Sequence, residues 1–458
     1  MPIYFYNSLS RKKEEFKSIK RGEVGLYTCG PTVYDYPHLG NFVAYIYWDI
    51  LKRFLSSQGY KVKHVMNITD VGHLTSDADS GEDKMEKAKQ REGKSAWELA
   101  DYYSKIFAAD AERLNILPPS KTLRATQTIK EQIEFVKILE KKGFLYKISD
   151  GLYFDTSKIK NYGVLGNLQN VELQEGARVE KNKEKKHPTD FAVWKFSPPG
   201  KKRDMEWGSP WGVGFPGWHL ECSVMSRMTL GDTFDIHTGG IDHLTVHHPN
   251  EMAQSEAVTG KKQANYWLHN AFMKVDGQRM GKSLNNFYTI ADLEKKNIFP
   301  LSYRYLLLQN HYRTPLNFSW ESMAAAQTGL SNIVKNIAFC DQSSKINKKY
   351  LEEFYQALSD DLNTAKAVSI LQGLIGESGN ENEKVATVFA MDKVLGLGLK
   401  RLRQQALQLP KEVRSLLKKR ELARKNKDYK LSDDLRKELQ DMGIEIQDTA
   451  KGQKAIKI

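Results

Sequence analysis

Cysteine is scarce in this 458-residue chain, which carries only Cys29, Cys222 and Cys340. Three thiols cannot build a disulfide framework, and that points to a reducing compartment. No apolar run approaches the ~20 residues of a membrane span, so no membrane partner is expected. The opening MPIYFYNSLSRKKEEF has no long apolar core followed by a small-residue cleavage site, so it does not read as a secretory signal. Internal repeats and long low-complexity tracts are missing as well. Acidic residues are outnumbered, 56 against 69 basic ones, for a formal net charge of +13. Such an excess suits a polyanionic partner. The length implies three or four domains. The expectation is a soluble cytoplasmic protein with an apolar core and a basic face.

What is present is organised around Tyr27 to Asn41, YTCGPTVYDYPHLGN. Val24 to Cys29 reads as a strand, Gly30-Pro31 breaks it, and His38-Leu39-Gly40-Asn41 falls where a helix begins. A helix N-terminus offers unpaired N–H groups and a positive dipole end, which suit phosphate. Gly40 would let a base or a phosphate lie on bare backbone. Val43, Ile46, Ile50 and Phe54 recur at helical spacing from Phe42 to Leu55, and Gly59 stops the run. Lys61 to Ile68 reads as the next strand. Strand, loop, helix and strand make a βαβ unit, whose ligands gather beyond the C-terminal strand ends. Cys29 and Thr69 fall at two such ends.

Further along, Thr75 to Lys94 reads as a charged mobile loop giving way to a helix. Helices are predicted over Ala96 to Leu114 and Thr128 to Lys142. From Gly143 to Pro216 the pattern turns to short β-like pieces, a basic run at Arg178 to His187 and turn clusters, as expected of an insertion. The sheet is expected to resume near Gly217 to Ser223, with a strand at Thr233 to His237 and a helix from His247 to Val258. Ala271 to Val275 and Gln278 to Met280 read as a hairpin, because Asp276-Gly277 suits a type I′ turn. Beyond Trp320 the chain reads as helical to about Gln408. Two basic helices follow Pro410, over Val413 to Lys425 and Tyr429 to Met442, with a short strand at Ile444 to Ile446. Lys418, Lys419, Arg420, Arg424 and Lys425 would be displayed together for a polyanion.

Two further groups carry chemistry. Arg279-Met-Gly-Lys-Ser283 is a basic loop after the hairpin; taken alone, a solvated basic loop is the better explanation, and its order after the helix start at His38 and a βαβ unit is what gives it weight. Cys29, Cys222, His247 and Glu251 offer two thiolates, an imidazole and a carboxylate. His247 and Glu251, four apart, would share a helix face. Such a donor set favours zinc over magnesium or calcium. Spacing alone leaves the plainer alternative open, buried cysteines beside a capping glutamate.

His38-Leu39-Gly40-Asn41 resembles the HIGH signature of class I aminoacyl-tRNA synthetases, and Arg279 to Ser283 resembles their KMSKS motif. Cys29 to Asp35, Asp190 to Lys195, Trp207 to Gly212, Pro216 to Cys222 and Phe234 to Gly240 look like blocks of the cysteinyl-tRNA synthetase family. The resemblance implies an α/β fold: a Rossmann-like parallel-sheet catalytic domain (1–125 and 217–270) with an inserted domain (126–216). It would continue with a signature-loop region (271–320), a helical bundle (321–408) and a small C-terminal α/β anticodon module (409–458). The implied activity is cysteine–tRNA ligation, with ATP, L-cysteine and tRNA(Cys) as partners, one zinc per chain, magnesium with ATP, and a monomer. By matching position, zinc would be held by Cys29, Cys222, His247 and Glu251, with His248 a substitute of poorer spacing. The substrate cysteine would meet Cys29, Thr69, Trp218 and His237. ATP would meet Gly30, Thr32, His38, Gly40, Asn41, Gly239, Asp242 and Lys282, and catalysis would rest on His38, Asn41, Arg279, Lys282 and Ser283.

Three departures stand out: Asn41 replaces the second His of HIGH, Arg279 and Gly281 replace the first Lys and Ser of KMSKS, and the C-terminus lacks an expected Trp. Two other functions share these features, a ligase joining cysteine to a small-molecule amine and a non-catalytic RNA-binding paralogue. The basic tail speaks against the first, and the intact His38, Lys282 and zinc set against the second.

Overall fold

The computed structural model describes residues 1–458 apart from 73–83, 168–181, 199, 201–202, 282–283, 285, 342–343, 378–380, 450–451 and 458. Lys282 and Ser283 therefore lie outside the described residues, as do the side chain of Arg279 and much of the expected mobile loop and basic run. The chain divides into two compact units. One comprises Pro2–Asp292 with Tyr312–Asn317; the other comprises Met1, Leu293–His311 and Phe318–Ile458.

The first unit opens with an antiparallel hairpin of β1 (Tyr4–Asn7) and β2 (Lys12–Glu15). It was not expected, since KKEE carries no apolar alternation. The expected βαβ unit follows as β3 (Glu23–Thr28), α1 (Leu39–Ser57) and β4 (Lys61–Ile68). Within α1, Phe42, Val43, Ile46, Ile50 and Phe54 are all buried, each contributing about 1.5–3 kcal/mol. Next come α2 (Lys84–Glu92) and α3 (Ala96–Arg113). The start of α3 is fixed by a capping box in which Ser95 and Glu98 satisfy each other's backbone N–H, worth about 1 kcal/mol. Then β5 (Lys121–Arg124) joins the sheet beside β4.

The insertion contributes α4 (Ile129–Lys141) and a separate antiparallel sheet of β6 (Leu145–Ile148), β7 (Gly151–Phe154), β8 (Phe191–Phe196) and β9 (Gly214–Pro216). After it the expectation of a strand near Gly217 to Ser223 fails. That stretch begins α5 (Trp218–Leu230). The helix is buried on most sides, so WHLECSVMS lacks the polar stripe that would mark it as helical. The sheet resumes only at β10 (Phe234–Gly240), followed by α6 (His247–Thr259) and β11 (Ala264–Asn270). The main sheet has the order β11-β10-β3-β4-β5, and every pairing is parallel. A last hairpin, β12 (Met273–Val275) with β13 (Gln278–Arg279), turns through Asp276 and Gly277, whose φ angles are +48° and +78°. Two positive φ angles are what a type I′ turn requires.

Side chains alternate across the main sheet. Tyr27 and Cys29 fall on one face, packed with Cys222 and Met225 of α5 and Met252 of α6. Leu26 and Thr28 point the other way. Thr28 is hydrogen bonded there to Thr238 (2.8 Å) and His64 (3.0 Å).

The second unit takes in α7 (Ile290–Lys295), which starts within the first, then α8 (Pro300–Leu308) and β14 (Leu316–Phe318) at its boundary. Five helices follow: α9 (Trp320–Phe339), α10 (Lys348–Ser359), α11 (Thr364–Gly376), α12 (Glu381–Leu395) and α13 (Leu399–Leu407). The tail is α14 (Lys411–Lys425), α15 (Tyr429–Asp441) and a hairpin of β15 (Ile444–Thr449) and β16 (Gly452–Lys457), the second strand unexpected. Val413, Leu439, Ile444 and Ile446 form its core. Arg420 departs from the expected display. It is buried, gripping both carboxylate oxygens of Asp448 at 2.9 and 3.0 Å and Gln453 at 2.7 Å. Arg424 pairs with the same carboxylate.

Candidate active site and metal centre

Four segments far apart in sequence meet on the α5–α6 face of the sheet. Cys29 lies just past β3, Cys222 in the second turn of α5, and His247 and Glu251 in the first two turns of α6. One donor atom from each of the four lies within 4.8 Å of every other, and all four residues are buried. His247 Nε2 stands 3.0 Å from Glu251 Oε1, so the helix does place them on one face. A second set, Cys29, His237, His248 and Glu251, meets the same distance test. Within it Cys29 Sγ stands 3.3 Å from His248 Nε2. His248 is thus nearer the centre than its spacing suggested.

The electrostatics of the pocket favour a cation. Burial, Cys222 and Glu251 push the Cys29 thiol well up. At Cys222 burial acts the same way, yet contacts with Cys29 and His247 outweigh it and the thiol is lowered. Burial would raise Glu251, but His237 and His247 hold its carboxylate far below the usual range. His247 is pushed up to about 10, because Glu251 and Cys222 overcome the burial that disfavours its charge. Two thiols, a protonated imidazole and an ionised carboxylate thus share one dry site, where a metal ion would take the place of the protons on His247 and the thiols. This buried Cys/His/Glu group can bind a metal ion, and its soft sulfur donors fit a soft or borderline one.

A shell of further residues holds the donors in place. His219 Nδ1 lies 2.9 Å from His247 Nδ1, leaving His247 Nε2 for the centre. His237 Nε2 lies 2.9 Å from Glu251 Oε2. His248 Nδ1 contacts His269 Nε2 at 2.7 Å, and His269 Nδ1 reaches Ser8 at 2.8 Å. Ring partners of this kind fix the tautomer and orientation of a metal-binding imidazole. His219 and His237 lay inside stretches quoted for the family resemblance, and His237 and His248 were named there for other roles. Ser8 and His269 carried no sequence signal.

The other expected residues sit around this centre. Trp218 tilts over His247, ring centroids 4.3 Å apart. Thr69 is buried and donates to Glu221 (2.9 Å), while its N–H donates to the carbonyl of Pro31. Thr32 bridges to Thr69 in parallel fashion. Gly30 donates its N–H to Asn67 Oδ1 (2.7 Å), and a Cβ there would fall 1.7 Å from the Asn67 carbonyl oxygen. Gly239 is hemmed in by His243 and His248, at 2.6 and 2.7 Å from a Cβ built on it. Asp242 is exposed in the turn after β10.

Met280 of the second signature and the chain just after it, Phe287 and Tyr288, lie against the first signature. His38 caps α1, its N–H donating to Asn41 Oδ1 at 3.0 Å. The Asn41 carboxamide is thereby oriented with its oxygen toward the backbone. Met280 Sδ lies 3.6 Å from a Cβ built on Gly40, and the Phe287 ring meets the His38 ring edge-on at 4.9 Å. Leu39 donates its N–H to the Tyr288 carbonyl (2.8 Å).

In fold, this arrangement is that of a class I aminoacyl-tRNA synthetase. Methionyl-tRNA synthetase of Mycobacterium tuberculosis, in complex with methionyl-adenylate, superposes with a TM-score of 0.58 at 14% identity, covering 85% of this chain and 94% of that one. An Agrobacterium radiobacter leucyl-tRNA synthetase in a ternary complex gives the same score at 11% identity, covering 85% of each. Sequence narrows the class. Residues 15–328 match the family of tRNA synthetases class I (C) catalytic domains, 353–400 the DALR domain, and 407–454 the cysteinyl-tRNA ligase anticodon binding domain. Cysteine–tRNA ligase 1 of Burkholderia lata is 46% identical over 99% of this chain and 97% of its own length. The cysteine–tRNA ligase of Treponema denticola is 43% identical over 98% of both. The chain belongs to the cysteine–tRNA ligase family.

Proposed function

We propose that this chain activates L-cysteine with ATP to cysteinyl-adenylate, releasing pyrophosphate, and then transfers the cysteinyl group to the 3′ end of tRNA(Cys). The observation that carries this reading is the convergence of Cys29, Cys222, His247 and Glu251 within 4.8 Å, in a chain of this family. These four would hold Zn²⁺, which when bound supplies an acceptor for a thiolate that a serine hydroxyl cannot match. A pocket relying on shape gives only ~10²-fold against such a near-isostere.

The chain's own residues supply alignment and charge. Thr69, Trp218 and His237, beside Cys29, would line the amino-acid side. His38, Gly40 and Asn41 at the start of α1 would take the ATP phosphates, as helix N-termini do. Gly30 and Thr32 would border the nucleotide, with Gly239 and Asp242 beside adenosine. The substrate carboxylate attacks the α-phosphorus itself, so no side-chain nucleophile is needed. Arg279, Lys282 and Ser283 would stabilise the charge that grows on the departing pyrophosphate, with Mg²⁺ accompanying ATP. Residues 321–408 and 409–458 would carry the tRNA and read its anticodon, supported by the matches at 353–400 and 407–454.

The test pairs cysteine-dependent ATP–pyrophosphate exchange with tRNA charging on protein of measured metal content. The expected result is one zinc per chain, both activities, and an absorption change in the cobalt-substituted protein on adding cysteine but not serine. Exchange with a spectrum indifferent to cysteine would make the metal structural. Absence of exchange would overturn the assignment.

A further inference from the structure

Two tyrosines beside the first signature are arranged in a way their own packing does not require. Tyr36 lies two residues before His38, in the loop that feeds α1. Tyr102 projects from α3. Tyr36 is 46% and Tyr102 38% exposed. Scattered exposed aromatics are ordinary on a protein surface. These two are built into one unit. Their hydroxyls are 3.1 Å apart and their rings stand nearly perpendicular, centroids 6.3 Å apart. Beneath them is Tyr103, 1% exposed, whose ring meets each at 5.2 Å. Tyr103 is tied down in turn by hydrogen bonds to Arg91 and Glu92. The exposed faces are therefore held in one geometry, with little side-chain entropy left to lose on binding.

The local charge completes the pattern. Lys94 Nζ sits 4.5 Å from the centroid of the Tyr102 ring. Arg91 is spent locally on Asp35 (3.3 Å) and Glu92 (2.7 Å), so among the described residues Lys94 is the cation the patch offers a ligand. Fixed rings interleaved with a cation are how proteins hold unpaired nucleic-acid strands: bases stack on the rings and the cation faces the backbone. In a chain that charges tRNA, the hydroxyl of an unpaired 3′ end must reach the carbonyl carbon of the cysteinyl-adenylate, from which AMP departs, near His38.

We propose that Tyr36 and Tyr102, supported by Tyr103 and accompanied by Lys94, form a stacking platform for the unpaired 3′-terminal bases of the tRNA substrate. The proposal rests on the tRNA-charging reading above. It assigns to α3 a part in acceptor-end binding, distinct from the anticodon module and from the adenylate site.

The test compares Tyr102→Ala and Tyr102→Phe in the full chain. For Tyr102→Ala, kcat/KM for tRNA charging is expected to fall roughly tenfold relative to cysteine-dependent ATP–pyrophosphate exchange, the loss typical of one stacked base. Tyr102→Phe keeps the ring, and its charging-to-exchange ratio is expected to stay within about threefold of the parent. A tRNA with a fluorescent purine at its 3′ terminus gives a second readout: quenching on binding, diminished in Tyr102→Ala and in Tyr36→Ala. The platform is refuted if Tyr102→Ala leaves the ratio and the quenching unchanged. Parallel losses of exchange and charging would refute it too, by making Tyr102 a scaffold residue. A changed sedimentation coefficient with an unchanged ratio would assign the patch to self-association instead. A parent protein without exchange would sink the functional reading, which is a different outcome from any of these.

Discussion

The metal-binding pocket and the C-terminal module both rest on clustered ionisable side chains, in opposite surroundings. In the pocket, Cys29, Cys222, His247 and Glu251 are all buried, and each sets the protonation of the others. In the module, Asp448 remains about 29% exposed while three arginines converge on it, and only Arg420 is buried. A dry cluster behaves as one object, since removing a member leaves the others mismatched in low dielectric. A half-wet cluster behaves as separate pairs, because water takes up what a lost partner leaves. Their sensitivity to substitution should therefore differ in kind.

The largest effect is expected at the dry cluster. Cys222→Ser should abolish stoichiometric zinc, measured by metal analysis, and lower cysteine-dependent exchange by at least ~10²-fold, as loss of a metal's supporting groups commonly does. A variant retaining full zinc and exchange would show that the second set, with His237 and His248, suffices. An intermediate effect belongs to Arg420, the one dry member of the wet cluster. Arg420→Ala should destabilise the module by about 3 kcal/mol, read as accelerated hydrogen exchange over β15 and β16, with cysteine activation unaffected. Equal acceleration throughout the chain would mean that the module unfolds only together with the rest.

The smallest effect is the acid response of Asp448. Arg420, burial opposing it, holds this carboxylate at about 2 against an ordinary 3.8. A lowered folded-state pKa stabilises fully above the unfolded value and is lost as pH falls through the folded one. The difference in melting temperature between the parent and Asp448→Asn should therefore be flat from pH 7 to about 4.5 and shrink below. Its size should be under about 2 kcal/mol, discounted for exposure. A difference near zero already at pH 7 would mean that the arginine clamp is weak in solution, and one that fades by pH 5 would belong to another titrating group.

Much of this was legible in the chain, and the failures share a cause. The βαβ unit could be read because α1 has a helical apolar period and β4 ends in a turn. His247 and Glu251 could be paired because a helix brings positions four apart together. By contrast α5 and β11 are covered on most sides, and burial all round erases the period that distinguishes helix from strand. The burial of Arg420 had no local signal either, since its partner Asp448 lies on a strand beyond another helix. Cys29 and Cys222 are nearly two hundred residues apart, and only family resemblance joined them before the fold did.

The bare backbone at Gly30 has a practical consequence for anyone wishing to re-specify this pocket. No Cβ fits there, because strand β3 runs into the Asn67 carbonyl at the end of β4. The Asn67 carboxamide ties this corner together, accepting from the Gly30 N–H at 2.7 Å and donating to Thr69 Oγ1 at 3.0 Å, so Cys29 and Thr69 are spaced by one buried side chain and the main chain it grips. A library aimed at another amino acid would have to leave that corner untouched and seek its freedom around Trp218 on the α5 side, sparing the candidate metal donors Cys222, His247 and Glu251.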